Sequence, residues 1–273
     1  MKQFFFAFLI FVILLLFCLC VFFVTCESKM IPWLKPLSKL PLDNRYTKID
    51  PSKVIIFMVV TPEILNYAQS SIANNEKYCQ RFGYAFRVVD SNLTPDLPIH
   101  FSKLQATLNF LKQGYDYVVH LDADAIIVNS YYPITHLIAY YMYNNVSSFI
   151  AGEDCYDKTI CSKPGRINSG VYIVKNDAPG KAIIQKWLSA ARGSCKKYVN
   201  QFPNCQLVFY HCVRYSYLSM FILLVPYNVL NGKDGLFIQH FMQHTNQERS
   251  DAFKQHLETD LDYQNGNQRV HVF

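Results

Sequence analysis

The sequence predicts an α/β domain with a mostly parallel sheet flanked by helices, carried behind an N-terminal transmembrane helix. Three observations predict it. Apolar runs of strand length recur along the chain, helical patterns alternate with them, and one much longer apolar stretch precedes them all.

The long stretch comes first. Residues 4–24 are 21 consecutive apolar residues with no charge. At about 1.5 Å per residue they span roughly 31 Å, close to the thickness of bilayer hydrocarbon. A cleaved signal peptide usually has a shorter apolar region. A signal-anchor is therefore expected, with cleavage near Val24 and Cys26 as the alternative. Lys2 alone precedes the run, while Glu27, Lys29, Lys35 and Lys39 follow it, so flanking charge votes only weakly on orientation. Residues 25–52 carry Pro32, Pro36, Pro41 and Pro51 without a sustained period, which reads as an extended stem. The expected layout is a cytosolic tail (1–3), an anchor (4–24), a stem (25–52) and one folded domain (53–273).

Residues 54–60 open that domain as a continuous, β-branched-rich apolar run, the pattern of a strand buried on both faces. A helical pattern runs from Pro62 to about Arg81, and Gly83 stops it where a left-handed residue is wanted. Residues 84–89 form a second strand. Residues 100–111 form a helix with Leu104, Leu108 and Leu111 on one face. Residues 115–121 are a third strand, continued by a short apolar piece at 125–128. Further strands are expected at 148–151, 170–174, 220–225 and 236–241. Helices are expected at 179–191, with Ile183, Trp187 and Ala191 inward, and at 247–257. Residues 194–214 have no clean period.

Composition narrows the function. Glycine (10) and proline (12) are too few for a collagenous or disordered chain. The net charge of +6 contains no block of like charge, and Arg192, Lys196 and Lys197 read as solvated surface, so nucleic acid is not an expected partner. Mild basicity suits phosphate-bearing substrates. Motifs for serine hydrolases, P-loop nucleotidases and Rossmann dehydrogenases are missing. Six domain cysteines, an even set, suggest disulfides in an oxidising lumen. Cys155–Cys161 is one expected pair, with two more among Cys79, Cys195, Cys205 and Cys212. The sequon at Asn145, and a weaker one at Asn92 followed by Pro95, agree with a luminal domain.

The chemistry concentrates in Tyr117-Val118-Val119-His120-Leu121-Asp122-Ala123-Asp124. A buried strand runs into two carboxylates at i and i+2, at the edge where open α/β sheets bind ligands. Two adjacent carboxylates repel unless a cation lies between them. Oxygen ligands suit Mn²⁺ or Mg²⁺, which leave positions open for phosphate oxygens.

This segment, with His100-Phe101-Ser102-Lys103 before it and Ala125-Ile126-Ile127-Val128-Asn129 after it, resembles nucleotide-sugar glycosyltransferases of the GT-A fold. Within them it is most similar to the galactosyl/mannosyl/xylosyltransferase family of Golgi α-mannosyltransferases and xyloglucan xylosyltransferases. Ile167-Asn168-Ser169-Gly170-Val171 and His240-Phe241 extend the resemblance over residues 54–250. It implies that Asp122 contacts the donor ribose and the metal, and that Asp124 and His240 bind the metal. It also implies that Lys103 lies near phosphate or sugar, and that Asn168, Ser169 and Gly170 line the sugar or acceptor pocket. Asp154 and Glu153 are further acids at the same sheet edge, with Asp154 the preferred catalytic candidate. His244, four residues past His240, is the weaker histidine.

Two departures stand out. Met242 and Gln243 replace a small pair after the histidine–aromatic pair. Asn204-Cys205-Gln206-Leu207 lacks the acid of an Asp-Gln pair. The expected function is transfer of a sugar from a UDP- or GDP-sugar to a glycan, with Mn²⁺ (or Mg²⁺), retention of configuration, and a Golgi or ER luminal setting. The alternatives are a glycogenin-like transferase and an anchored domain that binds without transferring.

Overall fold

The computed structural model describes residues 49–142, 146–154, 166–242 and 244–264, with side chains as far as residue 256. The expected anchor, nearly all of the stem, Asn145, Cys155 and Cys161 lie outside the described residues. Among those described, no helix is long and apolar enough to cross a membrane.

The elements follow in the order β1 (Val54–Val59), α1 (Leu65–Phe82), β2 (Ala85–Val89), α2 (Ser102–Lys112), β3 (Tyr117–Leu121), β4 (Ala125–Ile127), α3 (Ile134–Met142), β5 (Phe149–Glu153), β6 (Ile167–Lys175), α4 (Ala178–Arg192), α5 (Cys205–Cys212), β7 (Ile222–Val225), α6 (Tyr227–Leu230), β8 (Ile238–His240) and α7 (Asn246–Gln264). Six strands form one sheet in the order β2-β1-β3-β6-β5-β7. β1 is parallel to β2 and β3, and β5 is parallel to β7. β6 alone runs against its neighbours. The mostly parallel α/β sheet is therefore as expected, with one reversed strand. The late strand departs from expectation: β8 leaves the main sheet and pairs antiparallel with β4.

Alternation along β1 separates two cores. Ile55 and Phe57 face a cluster built on α2, α4 and α5, in which Trp187, Phe149, Phe209 and Tyr172 are fully buried. Trp187 Nε1 donates to Cys205 O at 2.8 Å, so its polar edge is satisfied and α4 is tied to the start of α5. Ile183, Trp187 and Ala191 point inward as expected. α1 covers the other face, where Asn75 reaches Met58. It ends at Gly83, whose φ of 74° is the left-handed conformation expected there.

Cysteine pairing is partly corrected. Cys195 and Cys212 are joined, but Cys79 and Cys205 are both buried free thiols. Cys79 lies on α1 and Cys205 in the Trp187 cluster, so the two belong to different layers. α3 and α5 arise where no helix was expected, at 134–142 and inside the aperiodic 194–214.

One face of α1 fastens the segment that follows β3. Ser71 Oγ donates to Ala123 O at 2.7 Å, and Asn74 Nδ2 donates to Ile127 O. Buried Asn75 donates to Ala125 O and accepts from Ile127 N, both at 2.9 Å. Replacing Asn75 with alanine strands a buried carbonyl and a buried amide. Such groups cost about 1–3 kcal/mol each. Asn75→Ala is therefore expected to lower unfolding free energy by at least about 2 kcal/mol in urea titration.

Candidate active site

Backbone pairing assembles the site before any side chain acts. Because β6 is reversed, its first residues lie beside the last residues of β3, and Asp122 N donates to Gly170 O at 2.7 Å. The chain then turns, with Ala125 N donating to Asp122 O, and enters β4. β4 pairs Ala125 with His240, and Phe241 N donates to Asp124 O at 2.9 Å. The two acids, the start of β6 and the end of β8 are thus held in register.

The side chains converge accordingly. Asp122, Asp124 and His240 offer ligand atoms that all lie within 4.8 Å of one another. Asp122 is about one-third exposed, toward the cavity. Burial raises its carboxyl, but the Lys103 ammonium and the hydrogen bond from His120 hold it well below the usual carboxylate range. Lys103 Nζ sits 3.2 Å from Asp122 Oδ1 and donates to Ser169 O at 2.8 Å. Burial works against its charge, yet Asp122 keeps the amine's pKa raised. His120 Nε2 lies 2.9 Å from the same Asp122 oxygen. Burial pushes His120 down to about 4, so its neutral ring donates from Nε2 and leaves buried Nδ1 without a partner among the described residues.

His240 is 3% exposed. Nδ1 lies 3.0 Å from Asn231 Oδ1, and Asn231 Nδ2 donates to Glu153 O at 3.2 Å. The anchored Asn231 amide accepts from Nδ1, which turns Nε2 toward the acids, 3.0 Å from Asp124 Oδ1. Burial lowers the imidazole pKa, but Asp124 outweighs it and the net shift is upward. Asp124 in turn is lowered, because His240 and Arg249 overcome burial and the repulsion of Asp122. Arg249 Nη2 lies 2.9 Å from Asp124 Oδ2.

Asp122, Asp124, His240 and Arg249 line a cavity of about 550 Å³, a size suited to a small ligand. Lys103, Asn168, Ser169, Gly170 and Asp154 line it as well. Gln206 Oε1 accepts from Ser169 N at 3.1 Å, and its Nε2 donates to Asp154 Oδ2 at 2.6 Å. Asp154 therefore stands next to the glutamine whose preceding acid is missing from the sequence. Burial raises the Asp154 carboxyl. Phe202 and Pro203 form part of the rim, with Phe202 79% exposed.

Of the expected site residues, Lys103, Asp122, Asp124, Asp154, Asn168, Ser169, Gly170 and His240 line this cavity, whereas Glu153 and His244 do not line it. Lys103 differs in manner: it is buried on Asp122 and Ser169 rather than extended into open space. Asn168 turns inward, its Oδ1 accepting from Gly170 N and its Nδ2 facing Met242 Sδ. Met242, one of the two departing residues, thus borders the cavity. His240 is on a strand, so His244 does not share a face with it; His244 Nδ1 lies 2.8 Å from Met242 O. Sequence reasoning missed Asn231, Arg249 and the Asp154–Gln206 pair. Arg249 carried a legible signal, because Thr245-x-x-Glu248 marks the helix start that places it.

Residues 50–247 match the model of the galactosyl transferase GMA12/MNN10 family. Among curated protein sequences none matches the chain. Among solved structures, it is similar to a glycosyltransferase involved in glycosylation of the major capsid of PBCV-1, with a TM-score of 0.59 at 20% identity over 74% of this chain and 98% of that one. Weaker likenesses are to the galactosyltransferase LgtC (TM-score 0.44, 12% identity, 74% and 95% covered) and to mouse xyloside xylosyltransferase 1 (0.43, 10%, 70% and 98%). The first of these carries the fold assignment, an α/β GT-A-like glycosyltransferase fold.

Gly170 is the tightest point of the arrangement. A Cβ there would collide with His240 Cε1 and come within 2.7 Å of Asp122 Oδ2. Space, not backbone conformation, requires glycine. Gly170→Ala is expected to keep the far-ultraviolet circular dichroism of the wild type while weakening Mn²⁺ binding at least about tenfold by titration calorimetry, since misplaced ligands of this kind commonly cost that much.

Proposed function

This chain belongs to the galactosyl transferase GMA12/MNN10 family, and on that premise we propose that it moves a sugar from a UDP- or GDP-sugar to a glycan acceptor with the help of Mn²⁺ or Mg²⁺. That it is a glycosyltransferase follows from the family. The donor class, the metal and the residue roles are the proposal. The observation that carries them is the convergence of Asp122, Asp124 and His240 on the floor of the cavity.

Two carboxylates and one imidazole form a donor set that fits Mn²⁺ or Mg²⁺. An ion held there would neutralise the negative charge that develops on a departing nucleoside diphosphate. The other tasks fall to the chain itself. Lys103 and His120 keep Asp122 ionised and in place. Asn231 fixes the imidazole so that Nε2 faces the acids. Gln206, held between Ser169 N and Asp154, presents a carboxamide to the cavity where the sugar would lie, with Asn168 and Gly170 beside it. Retention of configuration is part of the proposal. As the bond from the sugar's anomeric carbon to phosphate breaks, a bond to the acceptor oxygen forms on the same face, and a phosphate oxygen takes the acceptor's proton. No strongly nucleophilic side chain is needed for that course.

The domain is further proposed to be luminal in the Golgi or ER, held by residues 4–24 as a type II anchor and joined to it by the stem at 25–52. The Cys195–Cys212 disulfide supports this, because structural disulfides persist in oxidising compartments. In sealed microsomes the domain is expected to resist added protease and to carry glycan at Asn145. A protease-sensitive, unglycosylated domain would contradict the luminal placement.

Loss of one metal ligand should weaken metal and donor together. Asp124→Ala is expected to abolish transfer and to remove the Mn²⁺-dependent part of nucleotide affinity, read by calorimetry with UDP and GDP. His240→Ala is expected to act in the same direction more mildly, since water can fill a vacated position. An Asp124→Ala protein that binds nucleotide as the wild type does, with Mn²⁺ present, would refute the metal-bridge reading.

A further inference from the structure

The Asp124 carboxylate already has a cation on it. Arg249 Nη2 lies 2.9 Å from Oδ2, while His240 occupies Oδ1. The guanidinium is held from three more directions. Nε donates to Phe241 O at 3.1 Å, Nη1 donates to Asn246 Oδ1 at 3.3 Å, and the Tyr67 ring lies beneath it with its centroid 5.0 Å away. Its side chain is only 16% exposed, and it lines the same cavity as the acids.

Helix stability does not account for an arginine here. Arg249 stands in the first turn or so of α7, where a cation opposes the helix dipole. The helix start is fixed by other groups. Thr245 N donates to Glu248 Oε2 at 2.7 Å and Glu248 N donates to Thr245 Oγ1 at 3.2 Å, a reciprocal cap. That cap holds in place a guanidinium that faces Asp124 against the preference of its own helix.

We infer that Arg249 is an internal competitor for the divalent ion: its guanidinium holds the Asp124 carboxylate when no metal is bound, yields it when metal binds, and then contributes its charge to the nucleotide's diphosphate. The inference rests on the metal-dependent donor binding proposed above. Charge balance gives it its direction. Asp122 and Asp124 carry two negative charges, and Lys103 and Arg249 return two positive ones even before the His240 imidazole on Asp124 Oδ1 is counted. A divalent ion entering alone meets a compensated site and must displace an ion pair. A metal arriving with a diphosphate brings the anion that a displaced guanidinium needs. Of the five N–H donors of Arg249, three are engaged with the described residues, and release of Asp124 brings the number free for phosphate oxygens from two to three. Metal and nucleotide therefore bind as a pair, each weakly by itself.

The test separates two affinities in the full-length, detergent-solubilised protein. Mn²⁺ binding is measured without nucleotide, by electron paramagnetic resonance of free Mn²⁺. UDP binding is measured at saturating Mn²⁺, by calorimetry. Arg249→Gln is expected to bind Mn²⁺ alone about tenfold more tightly, because its competitor is gone, and UDP about tenfold more weakly, because a diphosphate contact is gone. Arg249→Lys keeps the charge but not the planar fork. It is expected to shift both affinities the same way by smaller amounts, and it serves if the glutamine variant does not fold. Opposite movement of the two affinities supports the inference. A parallel fall in both means that Arg249 only supports the fold of the site, and two unchanged affinities mean that it is a bystander; either overturns the inference while leaving the metal site intact. If neither wild type nor variant binds Mn²⁺, the metal-dependent reading fails and the inference falls with it.

Discussion

Two carboxylates at the end of a buried strand must be kept ionised in a place that disfavours charge. Burial raises both Asp122 and Asp124, and each repels the other. Much of the architecture around them meets that single demand. Lys103 comes from α2, His120 from β3 itself, His240 from β8 and Arg249 from α7. Four separate elements thus deliver positive charge or a hydrogen bond to one pair of acids. The helices flanking the sheet fill its faces, and two of them also place the cations that let the acids remain anions.

That convergence depends on two reversals of chain direction. Had β6 run parallel to β3, its Asn168–Gly170 start would lie at the opposite edge of the sheet from Asp122. Had β8 joined the main sheet, His240 would not stand across from Ala125, one residue from Asp124. The acids' own segment is held from below by the polar face of α1, so the turn carrying Ala123 and Asp124 is gripped by backbone bonds on one side and by the Ser71 hydroxyl and Asn75 amide on the other. Rigid placement of this kind lets the three converging side chains keep their geometry with nothing bound between them.

The sequence made some of this legible and hid the rest for physical reasons. β1 was plain, because a strand buried on both faces must be apolar throughout, and β3 was nearly as plain, with buried His120 its one exception. The acids after β3 were plain for the same reason: charge directly after such a run needs an explanation. Strand direction was hidden, since Ile167–Lys175 has the same composition read either way. α3 was hidden because Ile134–Met142 is apolar on most of its surface and so lacks a helical stripe. His240 was found through family resemblance, whereas Asn231 was not, because a buried amide that orients a ligand looks in sequence like any turn asparagine. Arg249 drew no reading, because the Thr245-x-x-Glu248 cap marks where its helix starts but not which group it faces. Only its approach to Asp124 in space shows that.

The cavity's two sides are fastened very differently, and this bears on how specificity could change over evolutionary time. The floor is cross-linked by side chains from four elements, so a substitution among them disturbs the charges around the acids. The opposing wall between Cys195 and Cys212 is secured at its ends by the disulfide and in the middle by Trp187 Nε1 on Cys205 O. Between those fastenings Phe202 projects into solvent at the rim. A residue there can be exchanged without disturbing the acids, the histidine or the core. Mutational freedom is therefore concentrated at this exposed rim, where a change of side chain reshapes the cavity mouth and leaves the charged floor as it is.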